Sequence, residues 1–150
     1  MAIRVDEGVT CAILADRNAA FADRLRHLLS SASDTVFLVG DDPSLMDGAR
    51  RLRPNLIVVD LGFADDGMVS LLQQIRTEVP AARVIVLSVH DDPAIAQTLV
   101  AGGAHGIVLK SQIADELLAA VDTVMAGQSF VSGRFREQRA PPTATPGDGR

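Results

Sequence analysis

The stretch NLIVVD at residues 55–60 decides the fold. Leu56, Ile57, Val58 and Val59 are apolar without a break, whereas a strand with one face in water would alternate. An uninterrupted apolar run of this length fits a strand covered on both faces of a parallel sheet. Working outward, the same signature recurs at CAILAD (11–16), VFLVG (36–40), RVIVLS (83–88) and GIVLK (106–110). Five central parallel strands are predicted.

Between the runs the apolar period lengthens to that of a helix. Phe21, Leu25, Leu28 and Leu29 share one face, as do Leu45, Ala49 and Leu52, and then Met68, Leu71, Leu72 and Ile75. Ile95 and Leu99 mark a shorter helix, and Ile113, Leu117, Val121, Val124 and Met125 form the clearest stripe. Strand and helix therefore alternate throughout, which predicts a three-layer, doubly wound α/β domain with right-handed crossovers, a flavodoxin-like (βα)5 fold. The punctuation agrees: Asn18 is placed to cap the first helix, Pro43 to start the second, and Pro54 and Pro80 to follow the second and third. Gly102, Gly103 and Gly127 stand where helices end.

The domain is expected to span residues 9–132. Residues 1–8 are expected to be loose. From Gly133 onward charged, proline and small polar residues replace apolar ones, so 133–150 is read as a flexible tail or linker, with a short helical extension through Phe135 left open.

The chain has 150 residues, 47% of them hydrophobic, and a formal charge of -5. One core is affordable, and no broad positive field advertises nucleic acid or an anionic membrane. The arginines near His27 and the trio Arg50, Arg51 and Arg53 read as solvated helix faces. Cys11, the single cysteine, excludes an intramolecular disulfide and reads as a core side chain. MAIRVDEGVT has no signal-like apolar stretch, and no run approaches the ~20 residues of a membrane helix. A soluble, cytoplasmic protein with no membrane partner is expected.

In an open parallel sheet, ligands bind beyond the carboxyl ends of the strands. Asp16, Asp60, Ser88 and Lys110 each end one of the runs, so the fold gathers four polar side chains at one edge. Two neighbouring carboxylates can hold a hard cation such as Mg²⁺. Asp60 is then a nucleophile toward phosphorus, with a hydroxyl and an ammonium to receive the phosphoryl oxygens. A blander reading stands beside it: Asp16 and Asp60 cap the following helices, Ser88 satisfies a local backbone group, and Lys110 is solvated. Neither a G-x-G-x-x-G turn nor a G-x-x-x-x-G-K-[ST] loop is present, so dinucleotide binding and nucleotide hydrolysis drop out.

ILAD (13–16), LIVVDL (56–61), VIVLS (84–88) and GGAHGIVLKS (102–111) together resemble the receiver domain of two-component response regulators. The resemblance covers about Val9 to Phe130. AVDTVMAGQSFVS (120–132) looks like the receiver end in the subgroup with a helix-turn-helix DNA-binding output domain. The resemblance implies that Asp60 accepts a phosphoryl group from a sensor histidine kinase, that Asp16, Asp60 and the Gly62 carbonyl hold Mg²⁺, and that Ser88 and Lys110 contact the phosphoryl group. It implies a switch without enzymatic turnover, with dimerisation through the fourth helix, fifth strand and fifth helix as one output, and leaves two alternatives open: a stand-alone receiver, or a fragment whose DNA-binding output domain is absent from this chain.

Three departures follow from the same comparison. Arg17 stands where the family usually has a second acidic residue; a guanidinium cannot bind a cation and is expected to pair with Asp60, weakening Mg²⁺ binding and phosphorylation. The loop LGFADDGM lacks the family's proline and is a residue shorter, which displaces the Gly62 carbonyl, while Asp65 and Asp66 are expected to cap the helix beginning near Gly67. Ile107 replaces the switch aromatic. His90 is read as an exposed loop histidine near the site, with a pH-sensitive role as the sharper alternative. A receiver-like interaction module that works without phosphorylation is the main rival reading, and a small phosphatase a more distant one.

Overall fold

The computed structural model describes residues 9–133 and Phe135. The chain alternates β1 (Val9–Ala15), α1 (Ala19–Leu29), β2 (Ser33–Val39), α2 (Asp42–Leu52), β3 (Leu56–Asp60), α3 (Met68–Glu78), β4 (Arg83–Ser88), α4 (Pro93–Ala101), β5 (Gly106–Leu109), α5 (Ile113–Met125) and β6 (Phe130–Val131). A single turn of 3₁₀-helix, Lys110–Gln112, joins β5 to α5. All pairings are parallel, in the order β2-β1-β3-β4-β5-β6. The five expected strands are therefore joined by a sixth, two residues long, at the β5 edge.

Period-2 alternation along the strands divides the core in two. Ile13, Ile57, Val59, Val84, Val86 and Ile107 face the layer of α2, α3 and α4. Ala12, Leu14, Leu56, Val58, Ile85 and Val108 face α1 and α5. β3, β4 and β5 are buried almost throughout, as continuous apolar runs require. β2 departs from that expectation. It is an edge strand, and Phe37 and Leu38, on opposite faces, are 41% and 42% exposed.

The expected helix faces are largely the buried ones, with Leu52 replaced by Met46 in α2. Asn18 caps α1 by accepting the Phe21 N–H, Asp41 caps α2 by accepting the Ser44 N–H, and Asp92 caps α4 by accepting the Ala94 N–H. Pro43 and Pro93 occupy first turns. The capping role expected of Asp65 and Asp66 is not found: Gly67, at φ +96°, is the N-cap of α3 and no side chain caps it. Gly103 stands at φ +113°, a backbone conformation that strains any residue with a Cβ. Cys11 is only partly buried, and burial raises its thiol above the ordinary value.

After α5 the chain turns back along β5. The Phe130 N–H bonds to the His105 carbonyl and the Ser132 N–H to the Ile107 carbonyl, at 3.1 and 2.9 Å. Phe135 is then fully buried in the core beneath α2, α3 and α4. The boundary expected after Ser132 falls inside this packing. Residues 1–8 and the remainder of the 133–150 segment lie outside the described residues. Among the described residues, no helix is long and apolar enough to cross a membrane.

Candidate functional site at the carboxyl ends of the strands

The sheet register sets the site. Ala15 pairs with Val59, so Asp16 comes level with Asp60 at the ends of adjacent strands, and both share the parity of Leu14 and Val58. Lys110, two residues after Val108, has that parity too and arrives from beyond β4. Its Nζ lies 2.6 Å from Asp60 Oδ1 and 3.3 Å from Asp16 Oδ2. The lysine is thus a fixed bridge between the two carboxylates, with 19% of its side chain exposed. Its ammonium also stands 4.3 Å from the centroid of the Phe21 ring, a cation–π contact brought by α1.

The remaining carboxylate oxygens meet backbone donors. Asp16 Oδ1 accepts the Asn18 N–H at 2.8 Å, and Asp60 Oδ2 accepts the Gly62 N–H at 3.0 Å. Asp16 is buried, with 3% of its side chain exposed, while Asp60 keeps 23% and is the reachable member of the pair. Burial of a carboxylate is costly unless it is paired and hydrogen-bonded, and Lys110 supplies that pairing for both. Asp16 and Asp60 thus each bond a backbone N–H two residues on, but neither caps the following helix, and Lys110 is paired rather than solvated.

Ser88 has the other parity, that of Val84 and Val86. Its fully buried hydroxyl accepts the His90 N–H at 3.0 Å and donates to the His90 carbonyl at 2.8 Å. Ser88 is thus at the expected edge but turned onto the backbone of its own loop. His90 is exposed. Ile107 is fully buried between Val86 on β4 and Val131 on β6, so its side chain points inward.

Arg17 does not take the partner the sequence suggested. Instead of Asp60, its guanidinium reaches across to the β3–α3 loop. Nε and Nη2 donate to the Phe63 carbonyl at 3.2 and 2.6 Å, and Nη2 donates to Asp65 Oδ1 at 2.7 Å. The group also lies 5.3 Å from the centroid of the fully buried Phe63 ring. Lys110 already occupies Asp60, and the β3–α3 loop brings the Phe63 carbonyl and Asp65 within reach of the Arg17 side chain. Sequence reasoning missed Phe21, Phe63 and the pairing of Asp65 because these are contacts between loops distant in sequence, with no local motif.

Mg²⁺, implied by the family resemblance, is poorly matched by these donors. Lys110 bridges the two carboxylates, Gly62 turns its N–H toward Asp60, and Arg17, a cation that cannot ligate a metal, directly follows Asp16 and takes the Phe63 carbonyl and Asp65 for itself. Among the described residues no group of three or more His, Cys, Asp or Glu could hold a metal. The residues present do not fit the cation cage.

An acidic pair bridged by a lysine thus stands at the carboxyl ends of the strands of a parallel α/β sheet. Residues 12–122 match the response regulator receiver domain, and the chain belongs to that family. Similar curated proteins include the transcriptional regulatory protein MctR of Rhizobium johnstonii, 28% identical over 80% of this chain and 57% of that protein. The methanol utilization control regulatory protein MoxX of Paracoccus denitrificans is 30% identical over 71% of this chain and 50% of its own length. The chain spans about half the length of the curated relatives it matches. Among solved structures, a LuxR-family two-component response regulator from Aurantimonas sp. has a TM-score of 0.80 at 24% identity, covering 89% of this chain and 99% of that one. The isolated receiver domain of RcsB from Salmonella enterica serovar Typhimurium, determined with phosphomimetic BeF3-, has a TM-score of 0.76 at 22% identity, over 85% and 96% of the two chains. These two likenesses are of fold.

Proposed function

We propose that this receiver accepts a phosphoryl group on Asp60 from the phosphohistidine of a sensor kinase and passes the change to an output that controls transcription. The observation that carries the reading is the 2.6 Å contact between Lys110 and the more exposed of two adjoining carboxylates. In the reaction, an Asp60 carboxylate oxygen attacks phosphorus, the P–N bond of the donor breaks, and its electron pair returns to the imidazole. Phosphoryl transfer is helped chiefly by placement and charge compensation. Lys110 supplies both, exchanging a carboxylate partner for a phosphoryl oxygen.

Ser88 takes part only by leaving His90, which makes the β4–α4 loop the element that moves. Such a signal is a population shift between two packings, driven by the difference in contacts that the phosphoryl group makes in each. Dimerisation is proposed on the face of α4, β5 and α5, now with β6 along the β5 edge; Val100 and Leu118 are exposed on its two helices. A DNA-binding output domain outside this chain and a cytoplasmic setting complete the proposal, in keeping with the regulators it resembles.

A second reading, a docking module that works without phosphorylation, is favoured by the completeness of the resting contacts: Lys110 satisfies both carboxylates, and Ser88 is closed on His90. Intact-mass analysis after incubation with acetyl phosphate, or with the cognate kinase, separates the two. One phosphate-sized increment in wild type and none in Asp60→Asn is expected. Equal labelling of the two proteins rules out Asp60 as the acceptor, and no labelling of either favours the docking module.

A further inference from the structure

We propose that Arg17 replaces a divalent cation as the bridge between the β1–α1 and β3–α3 loops, leaving a receiver whose acidic pair operates without Mg²⁺. The part of this that concerns phosphoryl uptake rests on the proposed role of Asp60; the part that concerns metal binding does not.

A cation seated beside Asp16 and Asp60 would have to draw oxygen ligands from both loops. In this chain the β3–α3 loop gives two of its oxygen groups, the Phe63 carbonyl and the Asp65 carboxylate, to Arg17. The Phe63 carbonyl receives two N–H donors and Asp65 a third, while the Phe63 ring supports the guanidinium from within the core. Arg17 projects from the residue directly after Asp16, so one side chain ties the end of β1 to the turn that follows Asp60. The Phe63 N–H in turn bonds to the Asp60 carbonyl at 2.9 Å, which continues the tie into the phosphoacceptor's own backbone.

Both cations at the site are already paired: Arg17 with Asp65, and Lys110 with Asp16 and Asp60, so a Mg²⁺ ion would have to displace a bound cation to reach these carboxylates. The same two groups are suited to a phosphoryl group, which brings negative charge and oxygens that accept from ammonium and guanidinium alike. Exposed ion pairs contribute little to stability, and Arg17 and Asp65 keep 46% and 69% of their side chains exposed. The arginine's effect is therefore expected in ion binding more than in folding.

Amide spectra of the isotope-labelled full chain, recorded through a Mg²⁺ titration into the millimolar range, test the bridge. Wild type is expected to show no saturable shift at residues 16–18 and 60–63, and Arg17→Asp to gain one at least about tenfold tighter. Saturable Mg²⁺ binding by wild type in that range would overturn the inference, whether or not Arg17→Asp folds. Acetyl phosphate labelling of wild type with Mg²⁺ and with EDTA is the second measurement. Equal labelling supports metal-free uptake, and labelling only with Mg²⁺ rejects it. Absence of labelling in both conditions counts against Asp60 as the acceptor, and the titration still decides the bridge.

Discussion

Glu116 in the first turn of α5 accepts the hydroxyl of Ser132 at 2.5 Å, joining the start of that helix to the segment that follows it. The same fully buried hydroxyl accepts the Leu109 N–H at 2.9 Å, and the Gly133 N–H donates to the other Glu116 oxygen at 3.2 Å. Leu109 directly precedes Lys110, so the chain beyond β6 is fastened one residue from the candidate site. Ser132→Ala leaves the buried Leu109 N–H without its acceptor, for which about 1–3 kcal/mol is expected. The loss should appear as a lower urea midpoint at unchanged slope. An unchanged midpoint would mean that water or a shifted backbone takes over the bond.

Phe135 extends this anchoring past the end of the sheet. It is fully buried against the layer of α2, α3 and α4, so Phe135→Ala is expected to destabilise by about 3–5 kcal/mol through lost burial and the cavity left behind. Removal of everything after Ser132 should cost a similar amount. Retention of wild-type stability by either variant would show that the receiver ends at β6.

His105 gives stability a pH dependence. Its Nδ1 accepts the Val84 N–H at 3.0 Å, which requires a neutral ring nitrogen. Burial, with Arg83 and Arg76 nearby, lowers its pKa below the ordinary imidazole value of 6.5. Between the folded value and 6.5 the unfolded chain binds more protons than the folded one, so stability rises with pH across that window. It is fully present above the window and declines as pH falls through it. Urea midpoints measured from pH 5 to pH 8, roughly the range in which imidazoles titrate, should fall more steeply on the acid side for wild type than for His105→Ala. Parallel curves would show that His105 does not carry the dependence.

The labelling of Asp60 and the response of Arg17 variants to Mg²⁺ are predictions on the site itself. They concern different atoms, since Asp60 is paired with Lys110 and Arg17 with the β3–α3 loop.

Much of this protein is legible in its sequence. NLIVVD and the other apolar runs determine parallel strands because a covered strand buries both faces, and the intervening stripes determine helices because the apolar residues recur at the helical period. The rule that ligands collect at the carboxyl ends then brings Asp16, Asp60 and Lys110 together, since each closes a strand. What the tertiary structure alone decided are contacts that depend on register and reach. Strand parity sends Ser88 to the face opposite Asp60, and the order of strands leaves Phe37 and Leu38 on an open edge although their run reads as covered. The reach of an arginine side chain, with Lys110 already on Asp60, carries Arg17 to Phe63 and Asp65 rather than to Asp60. The segment after α5 has too few apolar residues to signal a strand, and acquires one by pairing with an edge that only the folded sheet provides.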